Sequence, residues 1–210
     1  MSILEPPRIT APPCNPALAA PSRLRFLLRT VGPLMLLLLP AMSAGSARVP
    51  APAAEYDLKA AFLFNFAHFV GWPSESLGDT ATPFTIGVLG TDPFGASLDQ
   101  ITTGESIGVH PLRVRRYRTV EEVTDCQILF VSASERAHLD EIVARLRNRS
   151  ILTVGDMDGF AAHAGMIGFV TAKSRLRLQI NSTAAHDEHL KISSQLLRQA
   201  KIVTSPRPRP

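Results

Sequence analysis

The stretch from residue 56 to 73, YDLKAAFLFNFAHFVGWP, is too apolar to stand free as a surface element. It carries four of the ten Phe residues (Phe62, Phe64, Phe66, Phe69) and the only Trp, Trp72. Its length and its good helix formers (Leu58, Lys59, Ala60, Ala61, Leu63) predict a helix rather than a strand. Gly71 and Pro73 end it, because a proline disfavours the helical conformation at the residue before it, here Trp72. At 100° per residue one narrow polar stripe survives: Asp57, Asn65 and His68, with Ala61 between them. A helix apolar on nearly every other face must be covered on several sides. It is either a core helix or a helix that shares its surface with a partner. Lys59 projects almost opposite the stripe. The expected arrangement is a stem packed on apolar surface with the ammonium reaching water.

Upstream, residues 1–30 hold six prolines, four arginines and a single acid, Glu5. The apolar run Val31–Met42 follows, too short to span a bilayer, and then the small residues 43–47. A basic n-region, a short apolar core and a small-residue cleavage site predict a secretory signal over residues 1–47. The long n-region suggests that translation starts downstream of Met1. No Cys follows the apolar run, so a lipoprotein anchor is not expected. Residues 48–54 read as a Pro/Ala linker, 55–203 as one domain and 204–210 as a disordered tail.

The formal charge of +4 belongs to the leader and the tail. Residues 52–204 hold fifteen Lys and Arg against seventeen Asp and Glu, so the domain itself is slightly acidic. That balance gives no support to a nucleic-acid partner. Cys14 falls in the leader, which leaves Cys126 alone and rules out a disulfide within one exported chain. Cys126 is expected to be a small buried residue at the mouth of a strand.

Within the domain, residues 74–83 read as a loop and Phe84–Leu89 as a buried strand. Thr91-Asp92-Pro93 reads as the start of a helix running to about Ile101, with Pro93 in the first helical position. Residues 104–108 form a turn. Val109–Tyr117 alternates Val109, Leu112 and Val114 against His110, Arg113 and Arg115, a strand with one wet face. A short helix near Val120–Val123 and a buried strand over Gln127–Val131 follow. Ser134 is the expected cap of an amphipathic helix over Glu135–Arg147. Ile151–Val154 is a short strand, and Gly155-Asp156 turns into a short helix containing Phe160. Met166–Thr171 and Arg175–Ile180 pair as a hairpin, and a broken helical region spans about Ser182–Ile202. Strands alternating with helices imply right-handed crossovers. The expected fold is α/β: a single domain with a mixed, mostly parallel central sheet flanked by helices on both faces.

Chemistry is sparse. The loop from Gly90 to Gly95 follows a strand and precedes a helix, yet it is not G-x-G-x-x-G, and Pro93 removes an amide that would face a phosphate. His186 and His189 stand three residues apart on an expected helix and are the best metal candidates, though with no third ligand nearby in sequence. Arg113, Arg115, Arg116 and Arg118 form the densest basic run, either a solvated face or a site for an anionic partner; few aromatics interleave it, against a nucleic-acid surface. No nucleophile elbow and no Cys/His pair is present. Asn148-Arg149-Ser150 and Asn181-Ser182-Thr183 are glycosylation sequons, relevant only on a eukaryotic secretory route. No catalytic residue, metal site or cofactor is expected, and such a domain reads as a binder rather than a catalyst.

Five blocks then give a pattern. They are Tyr56-x-x-Lys59-Ala60-Ala61-Phe62 with Phe66, Phe69 and Trp72-Pro73; Val88–Gly90 with Asp92–Gly95; Cys126–Phe130; Leu152–Asp156 with Phe160 and Gly165–Ile167; and Ile180-Asn181 with Leu190, Ile192–Ser194, Leu196-Leu197 and Ala200. In this order they resemble the YfiR/HmsC-like family over about residues 55–203. The signature positions are Lys59, Phe62, Trp72, Pro73, Gly90, Phe160, Gly165 and Asn181. The resemblance moves the Phe residues and Trp72 of the apolar helix toward core packing. It implies a periplasmic, non-enzymatic regulator that binds the sensor region of an inner-membrane diguanylate cyclase of the YfiN type and represses cyclic di-GMP synthesis, and with it biofilm formation. Some relatives are encoded beside histidine kinases or other membrane receptors, so a periplasmic small-ligand-binding partner of a membrane histidine kinase or other receptor is the alternative. Two departures are mild: Ala164 precedes Gly165, and Leu178-Gln179 precede Ile180-Asn181. Cys126 standing alone means that redox control is not carried over. The surfaces to test for partner binding are Asn65 and His68 on the helix stripe, Arg113 and Arg115, and Met166. A spare apolar face also suits a homodimer.

Overall fold

The computed structural model describes residues 51–163, 165–172 and 175–205. The expected signal (residues 1–47) lies outside the described residues, as does the tail beyond Ser205. The apolar stretch forms helix α1 (Ala51–Phe69), which begins inside the segment read as a linker. Pro52 is tolerated there because first-turn amides have no acceptor within the helix. The chain turns extended in β1 (Val70–Gly71) and forms a short helix, α2 (Ser74–Leu77), where a loop was expected. Ser76 holds that turn by donating from Oγ to the Pro73 carbonyl at 2.8 Å.

Strand β2 (Phe84–Leu89) is buried along its whole length. Helix α3 (Ala96–Thr102) starts later than the Pro93 signal suggested. Asp92 Oδ1 accepts from the Phe94 amide at 2.7 Å, so the acid closes a turn before the helix instead of capping it. The expected turn carries β3 (Ser106–Ile107), paired antiparallel with the start of β4 (His110–Tyr117). Residues Val120–Glu122 make a 3-10 turn, followed by β5 (Ile128–Val131). The expected helix from Glu135 is in fact a 3-10 segment, Ala133–His138, and a shorter α4 (Leu139–Leu146). Ser134 lies inside that segment and caps nothing. Its Oγ accepts from the Thr91 amide at 3.0 Å and so ties two loops together.

Strand β6 (Leu152–Gly155), helix α5 (Phe160–His163) and the hairpin β7 (Ile167–Ala172) and β8 (Arg175–Ile180) follow as expected. The last region is not simply a broken helix. It holds α6 (Ser182–Asp187), β9 (Lys191–Ile192), α7 (Ser194–Arg198) and β10 (Ala200–Ile202). β9 pairs antiparallel with β1, and β10 adds a parallel edge to β8. Short segments with open strand edges beside them are recruited into sheets whatever their helical propensity.

The described residues form an eight-stranded sheet in the order β10-β8-β7-β6-β5-β2-β4-β3. β4, β2, β5, β6 and β7 run parallel, while β8 opposes β7. It is the mixed, mostly parallel sheet expected. Because the chain leaves β2 toward β4 and then crosses to β5, the topological switch point lies between β2 and β5. Alternation sends Phe84, Ile86, Phe130, Val154, Phe169 and Leu178 to one face, against Leu63 and Phe66 of α1 and Leu98 of α3. The other face carries Leu89, Leu129 and Val131 against Ile142 and Leu146 of α4 and Phe160 of α5.

Candidate functional site

Helix α1 sets Lys59 against the carboxyl end of β6. Lys59 is 4% exposed. Its Nζ stands 2.8 Å from Asp156 Oδ2 and 2.8 Å from Glu55 Oε1. Tyr56 Oη donates to the same Asp156 oxygen at 2.8 Å, and the ammonium lies 4.2 Å from the Tyr56 ring centroid. Burial alone would push the lysine down. The hydrogen bonds to Asp156 and Glu55 outweigh it and hold the ammonium above the ordinary lysine value. Burial, then the bond to Asp156, also raises the Tyr56 phenol. The expectation of an ammonium in water is therefore corrected. Lys59 faces the sheet, and an acid one residue past β6 meets it there. A lysine locked in its charged form is a staple and not a nucleophile. A lone lysine on the inward side of an apolar helix demands an acid, and that signal was available in the sequence.

The switch-point crevice, where doubly wound folds usually bind ligands, is filled by the protein itself. Gly90 has φ 87°, and a Cβ built there would stand 2.3 Å from Ser134 Oγ. Ser134 in turn donates to Glu135 Oε1 at 2.9 Å. The Gly90–Gly95 loop is thus a tight turn against the segment after β5, in line with its departure from the dinucleotide pattern. Arg116 fastens the same loop. It reaches Asp92 Oδ2 at 2.8 Å, Asp99 Oδ2 at 2.6 Å and the Gly95 carbonyl at 2.9 Å. The Asp99 bond, with Asp92 behind it, raises the guanidinium, and Arg116 lowers Asp99 in return.

Arg113 and Arg115 share the other face of β4, as their spacing required. The Arg115 guanidinium lies 5.2 Å from the Tyr117 ring centroid, and Arg113 approaches Thr85 Oγ1 at 3.5 Å. Both lean back on the protein. Tyr117 Oη is buried with no hydrogen-bond partner among the described residues, and burial pushes its pKa up to about 12. Cys126 is buried as expected. Its thiol donates to the Ile128 carbonyl at 3.0 Å, and burial pushes it up to about 12.

The histidine pair does not survive as a helical pair. α6 ends at Asp187, and His189 has φ 61°, outside the helix. Among the described residues no group of three or more His, Cys, Asp or Glu side chains is placed to hold a metal ion. Asn65 and His68 are exposed on α1, with His68 edge-on to Phe64 at 5.1 Å and Leu58 beside them 48% exposed. Asp57 of the same stripe is engaged by the Ser97 hydroxyl. Met166 is only 5% exposed, so it is no free contact surface. It lies at the base of a cleft of about 750 Å³ lined by Leu146, Arg147, His163, Asn181, Asp187 and Ser205, a feature invisible in the sequence.

The remaining signature positions are structural. Phe62 packs on Phe169 with ring centroids 6.0 Å apart, and Trp72 meets Phe84 edge-on at 4.9 Å. Gly165 leaves room for Phe160, whose ring would stand 2.0 Å from an added Cβ. Asn181 is 1% exposed. Its Oδ1 accepts from the Ala184 amide at 3.0 Å, and its Nδ2 donates to the Ala161 carbonyl at 3.1 Å and Ser205 Oγ at 2.8 Å. That burial also disqualifies it as a glycan acceptor.

Together these features define a doubly wound α/β domain whose usual ligand crevice is closed by its own side chains. The chain belongs to the YfiR/HmsC-like family, which it matches over residues 56–201. The family is one of regulators rather than catalysts. No curated protein matches the chain.

Proposed function

We propose that the protein is a periplasmic regulator that binds the sensor region of an inner-membrane diguanylate cyclase and holds the enzyme inactive. It acts by contact and not by catalysis. Membership of the YfiR/HmsC-like family across residues 56–201 carries this reading. The physical requirement is differential affinity: the regulator must bind the inactive sensor conformation better than the active one. Turning a population from mostly on to mostly off takes about 5.5 kcal/mol of preference. Export by a cleaved signal peptide would put the domain on the same side of the membrane as the sensor region. Deleting the gene should raise cyclic di-GMP in the host. An unchanged level in a strain that makes the cyclase overturns the reading.

The second reading is a small-ligand-binding partner of a membrane sensor kinase. The cleft of about 750 Å³ favours it, because it sets charged groups around an apolar base. A metabolite that raises the melting temperature of the purified protein, with no effect of gene deletion on cyclic di-GMP, would select it.

A further inference from the structure

The second face of the sheet is only half covered. Helices α4 and α5 lie over β2, β5 and β6, and Ala161 of α5 packs at Gly168 of β7. Past Gly168 no described helix covers this side of β7, β8 and β10. Six side chains stand on it. Val170 pairs across with Arg177, Ala172 with Arg175, and Gln179 with Lys201. Their neighbours Phe169, Leu178 and Ile180 point to the opposite face, into the core. Val170, Ala172 and Gln179 are half-buried, while the three cations are exposed. None of the three cations forms an ion pair among the described residues, and none of the six side chains is acidic.

The shape restricts what fits. Three strands at 4.7–4.9 Å spacing make a lane about 10 Å wide, the width of one helix. At the Gly168 end the single turn of α5 stands roughly a helix diameter above the sheet. The parallel strands are covered on both faces, as such strands ordinarily are, and the cover stops where the antiparallel β7–β8 pair and the β10 edge begin. A flat bilayer would meet the α5 turn and α4 beyond it before reaching the lane, whereas a helix fits beside them. Arginine and lysine stems add apolar area to Val170 and Ala172. Arg175 and Arg177 are about 6.8 Å apart along the strand, close to the roughly 5–6 Å between side chains at i and i+4 on a helix.

We propose that this lane docks an amphipathic helix of the regulated partner, apolar toward Val170 and Ala172 and acidic toward Arg175, Arg177 and Lys201. The proposal rests on the reading of the protein as a partner-binding regulator and names the surface and the chemistry of the partner.

The test has two arms. In the first, protein purified from its host is titrated with two synthetic peptides of about five helical turns and identical composition, and with phosphatidylglycerol vesicles. One peptide arranges Leu and Glu as opposite helix faces; the other is scrambled. The amphipathic peptide should bind at least about tenfold more tightly than the scrambled one. Arg175→Glu with Arg177→Glu should cut that affinity at least about tenfold without lowering the melting temperature. Equal binding of the scrambled peptide, binding untouched by the double substitution, or binding to vesicles and to neither peptide overturns the proposal. In the second arm the double variant is returned to a deletion strain. If deletion raises cyclic di-GMP and the folded variant represses fully, the lane is not the docking surface while the repressor reading stands. If deletion changes nothing, the repressor reading fails and the peptide arm still judges the lane.

Discussion

The two faces of this sheet are finished in different ways. On the first, α1 and α3 lie over the strands, and the one inward-pointing cation is matched twice, by Asp156 and by Glu55. On the second, cover extends from β2 to the start of β7 and then stops, leaving Arg175, Arg177 and Lys201 in water. The difference follows from what each site costs. An ion taken out of water costs several kcal/mol unless a partner and hydrogen bonds are supplied in place. An exposed cation costs almost nothing and needs no partner. Burial therefore makes a partner obligatory for Lys59, while at exposed cations pairing is optional: Arg116 has it and Arg175, Arg177 and Lys201 do not. The first face is covered from β4 to β8, with Ile202 at its β10 edge 47% exposed, and the second is covered over a smaller part of its width.

The largest test of that contrast is Lys59→Ala. It strips the partner from a buried carboxylate, and the expected loss is about 3–5 kcal/mol in urea unfolding. Adding Asp156→Asn should recover much of it, since the orphaned charge is then gone. A loss under about 1 kcal/mol would mean that the ammonium is solvated and that the first face is not closed. On the covered half of the second face, Phe160→Ala should cost about 3–5 kcal/mol, because its ring fills the space left by Gly155 and Gly165. If Phe160→Ala costs far less than Phe66→Ala, whose ring is fully buried under α1, the second face is loosely packed throughout and the contrast lies elsewhere.

Alkaline pH probes both faces together. Burial lifts the Cys126 thiol to about 12 in the folded state, against about 8.5 in the unfolded chain. A folded value raised above the unfolded one gives stability that is full below the unfolded value and is lost as pH rises toward the folded one. The thiol should therefore account for about 2 kcal/mol of stability lost between pH 8 and pH 10. Lys59, raised as well, adds loss only above its ordinary value of about 10.4. Cys126→Ala should flatten the curve below pH 10 and leave the later fall. An unflattened curve would mean that the thiol is not sealed beneath the second face.

Much of this was legible in the sequence, and the failures are specific. Strands β2 and β8 were readable because continuous apolarity or strict alternation leaves one register that buries the right side chains. The apolar helix was readable for the same reason, yet Lys59 was placed wrongly. Helical periodicity gives a direction and not a neighbour, and Asp156 lies far away in sequence. Strands β9 and β10 were missed because two or three residues carry no periodicity; only the free edges of β1 and β8 make them strands. Of the surfaces singled out for partner contact, Asn65 and His68 are exposed and Met166 is buried. The cleft and the uncovered lane were out of reach. Both arise from where helices stop covering a sheet, a property of the assembled layers.

Smaller effects sharpen the comparison further. Tyr117 Oη is buried without a partner among the described residues, so Tyr117→Phe removes an unsatisfied group and should raise stability by up to about 1 kcal/mol. A loss instead would show that the hydroxyl does hold a partner.

The smallest expected effect on folding is the most informative for function. Two pairs of charge substitutions, Asn65→Glu with His68→Glu on α1 and Arg175→Glu with Arg177→Glu on β8, each alter exposed side chains with no ion pair among the described residues. Each should move the unfolding free energy by no more than about 0.5 kcal/mol. The α1 pair lies on the outer side of the helix that covers the first face. The β8 pair lies in the lane that leaves the second face open. If the protein represses the cyclase as proposed and coverage marks the docking surface, the β8 reversal abolishes that repression and the α1 substitutions spare it. The opposite result would make the α1 stripe the contact surface, and the unfinished face would then be a sheet edge that tolerates water because its own arginine and lysine stems shelter it.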